Sequence, residues 1–218
     1  MIASPGACRR TVWVAVTALC LAGLRSEDVA GSLASRAVNL SGAVTDRVRD
    51  VRASPQVPRP PDFKAARIEV SDGDLIVTVS FDKGTLSPQT SVTVYLDTDE
   101  EAATGTPVFF GERRPIGADY AIRGFQPHDP SKAALTRETG GRGRFVLIGS
   151  IDVTFPAADQ RRYVVPLSQL GNDDGRLWFK LECDQIVGFS QAGNTSTQSY
   201  VTHIDQMPDA GARPGVVK

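Results

Sequence analysis

From residue 63 onward, hydrophobic and polar residues alternate in short runs. In the segment 66–70, ARIEV, small or aliphatic residues alternate with charged ones. Period-two alternation bounded by Gly, Pro, Asn and Asp is the pattern of half-buried β-strands, particularly where β-branched and aromatic residues are frequent. The other runs of this kind are 74–82, 91–97, 119–125, 144–155, 161–167 and 176–183. The pattern predicts a series of short strands without amphipathic helices between them.

Short strands separated by turns favour a sandwich or a barrel. We predict an all-β domain over 62–212, an antiparallel β-sandwich of jelly-roll or immunoglobulin-like type, followed by a C-terminal tail over 213–218. About 150 residues are enough to bury a single core. A single helical turn is expected at Leu167–Leu170. The segments 97–117 and 126–144 are predicted to be long connections, which on a sandwich gather at the sheet ends.

The N-terminal residues follow a different pattern. Two arginines precede an uncharged apolar run, 11–24, which is shorter than the roughly 20 residues that span a membrane. A basic start, a short apolar stretch and small residues are typical of a secretory signal. We predict a signal peptide over 1–26, cleaved after Ala22 or Ser26, and a mature chain that is secreted, periplasmic or at the cell surface, without a transmembrane span. The alternative is an uncleaved membrane anchor or a buried helix.

A proline-rich segment separates this start from the alternating runs. Residues 52–62, RASPQVPRPPD, contain four prolines, which end any helix and favour an extended spacer. Residues 27–50 show no clean apolar stripe at helical spacing. The sequence predicts a flexible or weakly helical tether over 27–61, and an N-terminal extension without a role is the alternative.

Charge and cysteine content exclude two classes of protein. Residues 62–218 hold 16 basic and 21 acidic side chains, and this acidic balance argues against a nucleic-acid surface. Cys183 is the single cysteine after the predicted signal, which excludes a disulfide framework. It ends a strand-like run, and we expect it to be a core or half-buried thiol.

The acidic segment 94–105, VYLDTDEEAATG, is the most unusual feature. Three interpretations are open: a solvated turn after a strand, a calcium site in which alternate carboxylates surround one ion, or a carboxylate pair for acid–base chemistry. The EF-hand pattern is excluded, because a loop starting at Asp97 has Ala102 at position six and Val108 at position twelve, where Gly and Glu are required.

Four segments together resemble a set found in exported bacterial β-sandwich domains, similar to carbohydrate-binding modules and DOMON-like domains. They are YLDTDEEAATG (95–105), GADY (117–120), PLSQLGNDDGRLWF (166–179) and IDQMPDAG (204–211). The resemblance covers about residues 65–212. It implies a non-catalytic module whose partner is a polysaccharide or another cell-envelope component. It also implies a calcium site whose ligands come from Asp97, Asp99, Asp119 and Asp205. The alternative is that Asp119 and Asp205 cap turns or pair with arginines.

The sequence holds weaker signals for catalysis and for sugar binding than for a metal site. His128 and His203 occur without a metalloprotease, paired-cysteine or nucleophile motif, so no catalytic residue is assigned. Aromatic rings for stacking on sugars are available at Phe109, Phe110, Tyr120, Tyr163, Trp178 and Tyr200. Adjacent strand residues face opposite sides, so at least one of Trp178 and Phe179 is expected in the core. We predict a secreted or cell-surface binding or structural module, possible ligands being calcium and carbohydrate. The alternative is a secreted hydrolase that uses acidic loop residues.

Overall fold

The computed structural model describes residues 40–51, 59–108, 115–124, 129–140, 143–192, 195–209 and 212–218, with the backbone alone over 186–204. The predicted signal, 1–26, lies outside these residues. The strands are β1 (Leu40–Thr45), β2 (Phe63–Ser71), β3 (Asp74–Phe81), β4 (Thr90–Asp97), β5 (Thr106–Val108), β6 (Ile116–Ala118), β7 (Tyr120–Arg123), β8 (Lys132–Glu138), β9 (Phe145–Thr154), β10 (Gln160–Pro166), β11 (Leu177–Ala192), β12 (Thr195–Met207) and β13 (Gly215–Val217). A 3-10 turn, η1 (Leu167–Leu170), occupies the predicted single helical turn.

Most strands belong to one nearly closed antiparallel sheet. Its order is β1-β2-β3-β10-β9-β8-β7-β4-β11-β12, and β13 pairs with β11 beside β12. β13 also approaches β1, because the amide of Ser41 donates to the carbonyl oxygen of Lys218 at 3.2 Å. β5 and β6 form a separate two-stranded sheet. The all-β, antiparallel prediction is confirmed, and the division into two facing sheets of a sandwich stays a prediction.

The core follows from the alternation seen in the sequence. In β3 the side chains of Leu75, Val77, Val79 and Phe81 are buried, and the residues between them are partly exposed. β2, β4 and β10 bury alternate residues in the same way. Cys183 is buried, as predicted, and its burial raises the pKa of the thiol. Truncating a residue such as Leu75 to Ala removes about 2–5 kcal/mol of stability in cores of this kind.

Both ends of the predicted domain are extended by a strand. β1 lies within 27–61, where a tether was predicted, and pairs with β2 over its whole length. A Cβ atom on Gly42 would lie 2.2 Å from the carbonyl oxygen of Val216, so this glycine allows β13 to approach β1. β13 lies within the predicted tail, 213–218, and buries Val217. The tether and tail predictions are therefore wrong for these strands. Residues 27–39 and 52–58 of the tether lie outside the described part of the chain.

The two predicted connections also contain strands. β5 and β6 lie within or at the end of 97–117, and β8 lies within 126–144. β8 buries Ala133 and Leu135 and pairs with both β7 and β9. Its sequence, KAALTRE, has a single β-branched residue, Thr136, and no aromatic one, which explains why it was predicted as a loop.

Candidate metal centre

The ends of neighbouring strands bring Asp97 and Asp119 together. β4 ends at Asp97, and Asp119 lies between β6 and β7. β4 and β7 are paired with Leu96 opposite Tyr120, and the amide of Asp119 donates to the carbonyl oxygen of Leu96 at 2.9 Å. The proximity of the two aspartates thus follows from the strand register.

Asp97 is buried, with an exposed fraction of 0%. Its Oδ2 accepts a hydrogen bond from the amide of Gly117 at 2.9 Å. Its Oδ1 is also buried and meets no donor among the residues that the structure describes. Burial raises the pKa of Asp97 to about 7, the Gly117 hydrogen bond opposes this rise, and the charges of Asp119 and Asp99 add to it. An ionised carboxylate in this position needs a positive partner.

Asp119 and Asp99 are held by hydroxyl and amide groups of the acidic loop, residues 98–105. Asp119 Oδ2 accepts from the amide of Thr98 at 2.9 Å and from its hydroxyl at 3.0 Å. The hydroxyl of Thr104 lies 2.8 and 3.0 Å from the two carboxylate oxygens of Asp99. Burial is the main cause that raises the pKa of Asp119. These hydrogen bonds fix the orientations of the two carboxylates.

Two glycines allow the acidic loop to pack against β6. A Cβ atom on Gly117 would lie 2.1 Å from the carbonyl oxygen of Thr104. Gly105 has φ +61, which favours glycine, and its added Cβ would lie 2.6 Å from the carbonyl oxygen of Gly117. The Thr104-Gly105 turn and the Gly117-Ala118-Asp119 segment are therefore matched in shape. This packing places the loop carboxylates over the end of β4.

Carboxylate oxygens of Asp97, Asp99 and Asp119 lie within 4.8 Å of one another. Within the described ranges, no Lys or Arg forms an ion pair with any of the three. Calcium binds oxygen ligands at about 2.3–2.6 Å, so ligands on opposite sides of the ion are about 5 Å apart. The spacing and the oxygen-only donor set fit a hard divalent cation. We call this group the first acidic cluster.

Asp173 adds a fourth carboxylate near this group and was not predicted as a ligand. It lies in the turn after η1, and its Oδ1 accepts from the amide of Gly175 at 2.7 Å. Burial raises its pKa most, and the charges of Asp174, Asp119 and Glu100 contribute. The GNDDG sequence gives a signal for a turn, but not for its position beside a loop more than fifty residues earlier.

Asp205 lies elsewhere. On β11, Trp178 is opposite Asp97 and Cys183 is opposite Asp205, which separates the two aspartates by about 16 Å along the strand. Asp205 is 4% exposed, and its carboxylate accepts from the amides of Phe63 and Gln206. The structure therefore brings three of the four predicted ligands together and places Asp205 apart from them.

Two of the six aromatic residues considered for sugar binding, Tyr120 and Tyr163, are buried in the core. Phe179 is also buried. Trp178 is half-buried and packs against the small cluster formed by Val108, Ile116 and Ala118. The expectation that Trp178 or Phe179 enters the core is confirmed by Phe179. The side chains of Phe109, Phe110, Tyr200, His128 and His203 lie outside the described part.

Comparison with known proteins adds no relative, because the chain matches no protein-family model and no curated protein sequence. Within the ranges that the structure describes, no helix is long and apolar enough to cross a membrane.

Proposed function

We propose that this chain is a secreted or cell-surface, non-catalytic binding or structural module, stabilised by calcium at the first acidic cluster. Asp97, Asp99 and Asp119 are the protein ligands. The observation that carries the proposal is Asp97 Oδ1, a buried carboxylate oxygen without a described donor that lies beside two other carboxylates.

Electrostatics favours a cation at this position. Three carboxylates within 4.8 Å repel one another, and the repulsion is strongest where burial lowers the effective dielectric constant. The amide of Gly117 and the hydroxyls of Thr98 and Thr104 stabilise single oxygens but supply no full positive charge. A calcium ion supplies two charges, and these donors then orient its ligands as an outer shell.

The partner is proposed to be a polysaccharide or another cell-envelope component, presented on a β-sandwich. This part of the proposal is supported by the order of the four segments that resemble carbohydrate-binding and DOMON-like domains, and by the signal-like sequence at 1–26. Cosedimentation of the full chain with insoluble polysaccharides tests it, in calcium and in chelator. Retention in the pellet is expected, and no retention on any glycan or cell-wall preparation overturns this part alone.

Thermal unfolding of the full chain tests the calcium part. A ligand present at 100 times its Kd stabilises the folded state by about 2.7 kcal/mol, which corresponds to a Tm increase of about 5–10 °C for a chain of this size. We expect at least this increase for the wild type and a smaller one for Asp97→Asn, which lacks a ligand of the first cluster. Asp152→Asn is the matched control, because Asp152 is 72% exposed and pairs with Lys132 on the surface. An equal increase in all three proteins contradicts the assignment.

A further inference from the structure

A second group of carboxylates lies where β1 and β12 end. Asp46 directly follows β1, Asp50 lies four residues later, and Asp209 follows the end of β12. Carboxylate oxygens of these three residues lie within 4.8 Å of one another. We call this group the second acidic cluster. It is assembled from the two ends of the described chain, which sequence proximity alone does not suggest.

The Asp46 carboxylate is buried within this cluster. Neither of its oxygens reaches solvent, and neither meets a hydrogen-bond donor in the part of the chain that the structure describes. Its contact with Asp209 joins two carboxylates, which requires either a shared proton or a cation between them. Burial raises the pKa of Asp46 to about 8, and the charges of Asp205, Asp209 and Asp50 also raise it. The group is therefore held in a strongly negative environment.

Two further buried carboxylates surround the cluster. Asp62 is 3% exposed, and its Oδ1 has no partner among the described residues, whereas its Oδ2 accepts from the amide of Arg49 at 2.8 Å. The charge of Asp62 contributes to raising the pKa of both Asp50 and Asp205. The charge of Asp205 in turn raises the pKa of Asp46. Asp205 therefore lies near the second cluster and not in the first.

The charges that raise the pKa of Asp46 are those of other carboxylates. Arg49 contributes its amide to Asp62, and its charge lowers the pKa of Asp62. Over the described ranges, no ion pair joins Lys or Arg to Asp46, Asp50 or Asp209. Buried charges in proteins are normally paired or coordinate a metal. Carboxylate oxygens at this spacing are the type of ligand that a hard cation such as calcium prefers.

We propose that the second acidic cluster binds a divalent cation of the calcium class through Asp46, Asp50 and Asp209. The ion links the end of β1 to the end of β12, so it holds β1 in place where the sheet closes. Asp62 and Asp205 increase the negative potential at the site, and backbone amides donate to Asp62 Oδ2 and to the Asp205 carboxylate. This site is independent of the first acidic cluster.

Calorimetric titration of the metal-free full chain with calcium tests the proposal at pH 8.5. Two ions per chain are expected for the wild type. Asp97→Asn is expected to lose the first cluster's ion only, and Asp50→Asn the second cluster's ion only. Asp50 is exposed, so its substitution preserves the fold. Asp46→Asn is expected to behave as Asp50→Asn does, and Asp152→Asn to bind two ions.

The outcomes separate the two proposed sites. One ion that is lost in Asp50→Asn and retained in Asp97→Asn supports the second site and contradicts the first. One ion that is lost in Asp97→Asn and retained in Asp50→Asn overturns the second site. If Asp46→Asn raises Tm in chelator without changing the stoichiometry of two, the Asp46–Asp209 contact is a shared proton and the proposal is wrong.

Discussion

The two acidic clusters hold their carboxylates by different means. In the first cluster, the amide of Gly117 and the groups of Thr98 and Thr104 donate hydrogen bonds to the three aspartates. In the second, Asp46 has no described donor at either carboxylate oxygen. The pKa is raised to about 7 at Asp97 and to about 8 at Asp46. Hydrogen-bond donors therefore preorganise the carboxylates of the first cluster, whereas the carboxylates of the second depend more on a proton or a cation.

The largest expected effect comes from the backbone packing that only the first cluster has. Gly117→Ala would place a Cβ atom 2.1 Å from the carbonyl oxygen of Thr104, and both atoms belong to packed backbone. We expect a loss of about 3 kcal/mol or more in the free energy of unfolding, together with loss of the first calcium ion.

Urea denaturation measures this loss, and Gly149→Ala is the control. A Cβ atom on Gly149 meets only Gln169 Oε1 at 3.5 Å, an ordinary contact. The fitted packing of the acidic loop is contradicted if Gly117→Ala is as stable as Gly149→Ala and still binds calcium at both clusters.

Removing one charge is expected to have opposite effects with and without calcium. In chelator at pH 8.5, Asp46→Asn and Asp97→Asn each remove an ionised buried carboxylate, and we expect a gain of about 1 kcal/mol in stability. In excess calcium, the same variants lack a ligand and are expected to be less stable than the wild type by about 2 kcal/mol. Urea midpoints in the two buffers check this reversal. A variant that shifts in the same direction in both buffers argues against cation binding at its cluster.

A smaller effect is expected from the donors around the first cluster. Thr98→Val removes the hydroxyl that donates to Asp119 Oδ2 at 3.0 Å and preserves the side-chain shape. Loss of an outer-shell donor typically weakens metal binding 10- to 100-fold. We expect a weakening of about tenfold at the first cluster and no change at the second, measured by calcium titration. Equal weakening at both clusters would show that the effect is not local.

The last expected effect is a dependence of stability on pH in chelator. The folded-state pKa values of Asp46, Asp97 and Asp205, about 8, 7 and 7, exceed the ordinary carboxyl value. The folded state therefore binds more protons than the unfolded state between about pH 4 and 8. Stability should rise as pH falls from 8.5 to 5.5 and be lost as pH rises through the folded pKa values. A Tm series checks this, with Asp46→Asn giving a flatter profile, and a Tm that rises with pH contradicts it.

The first cluster was partly predictable because its carboxylates are crowded into one segment, Asp97 to Glu101, at the end of an alternating strand. Asp119 joins them through the register of β4 and β7, which its position in the sequence does not reveal. Asp205 lies apart from them, because a resemblance in motif order does not fix which loops meet. The second cluster was not predictable, since Asp209 lies far along the sequence from Asp46 and Asp50.

The prediction of strands from the sequence was limited in the same way. β3 and β10 are recognisable because β-branched and aromatic residues alternate with polar ones. β1, LSGAVT, and β8, KAALTRE, contain few β-branched residues and no aromatic ones, and they are strands because they pair with neighbours in the sheet. Tertiary pairing, which local pattern does not encode, thus determined both the missed strands and the missed cluster.

The most direct test of cation binding at the acidic clusters is an anomalous-difference map from crystals of the full chain grown in calcium. The account predicts a calcium peak about 2.3–2.6 Å from oxygens of Asp97, Asp99 and Asp119, and a second peak among Asp46, Asp50 and Asp209. Well-ordered carboxylates with no anomalous peak at either cluster, in crystals containing millimolar calcium, would contradict it.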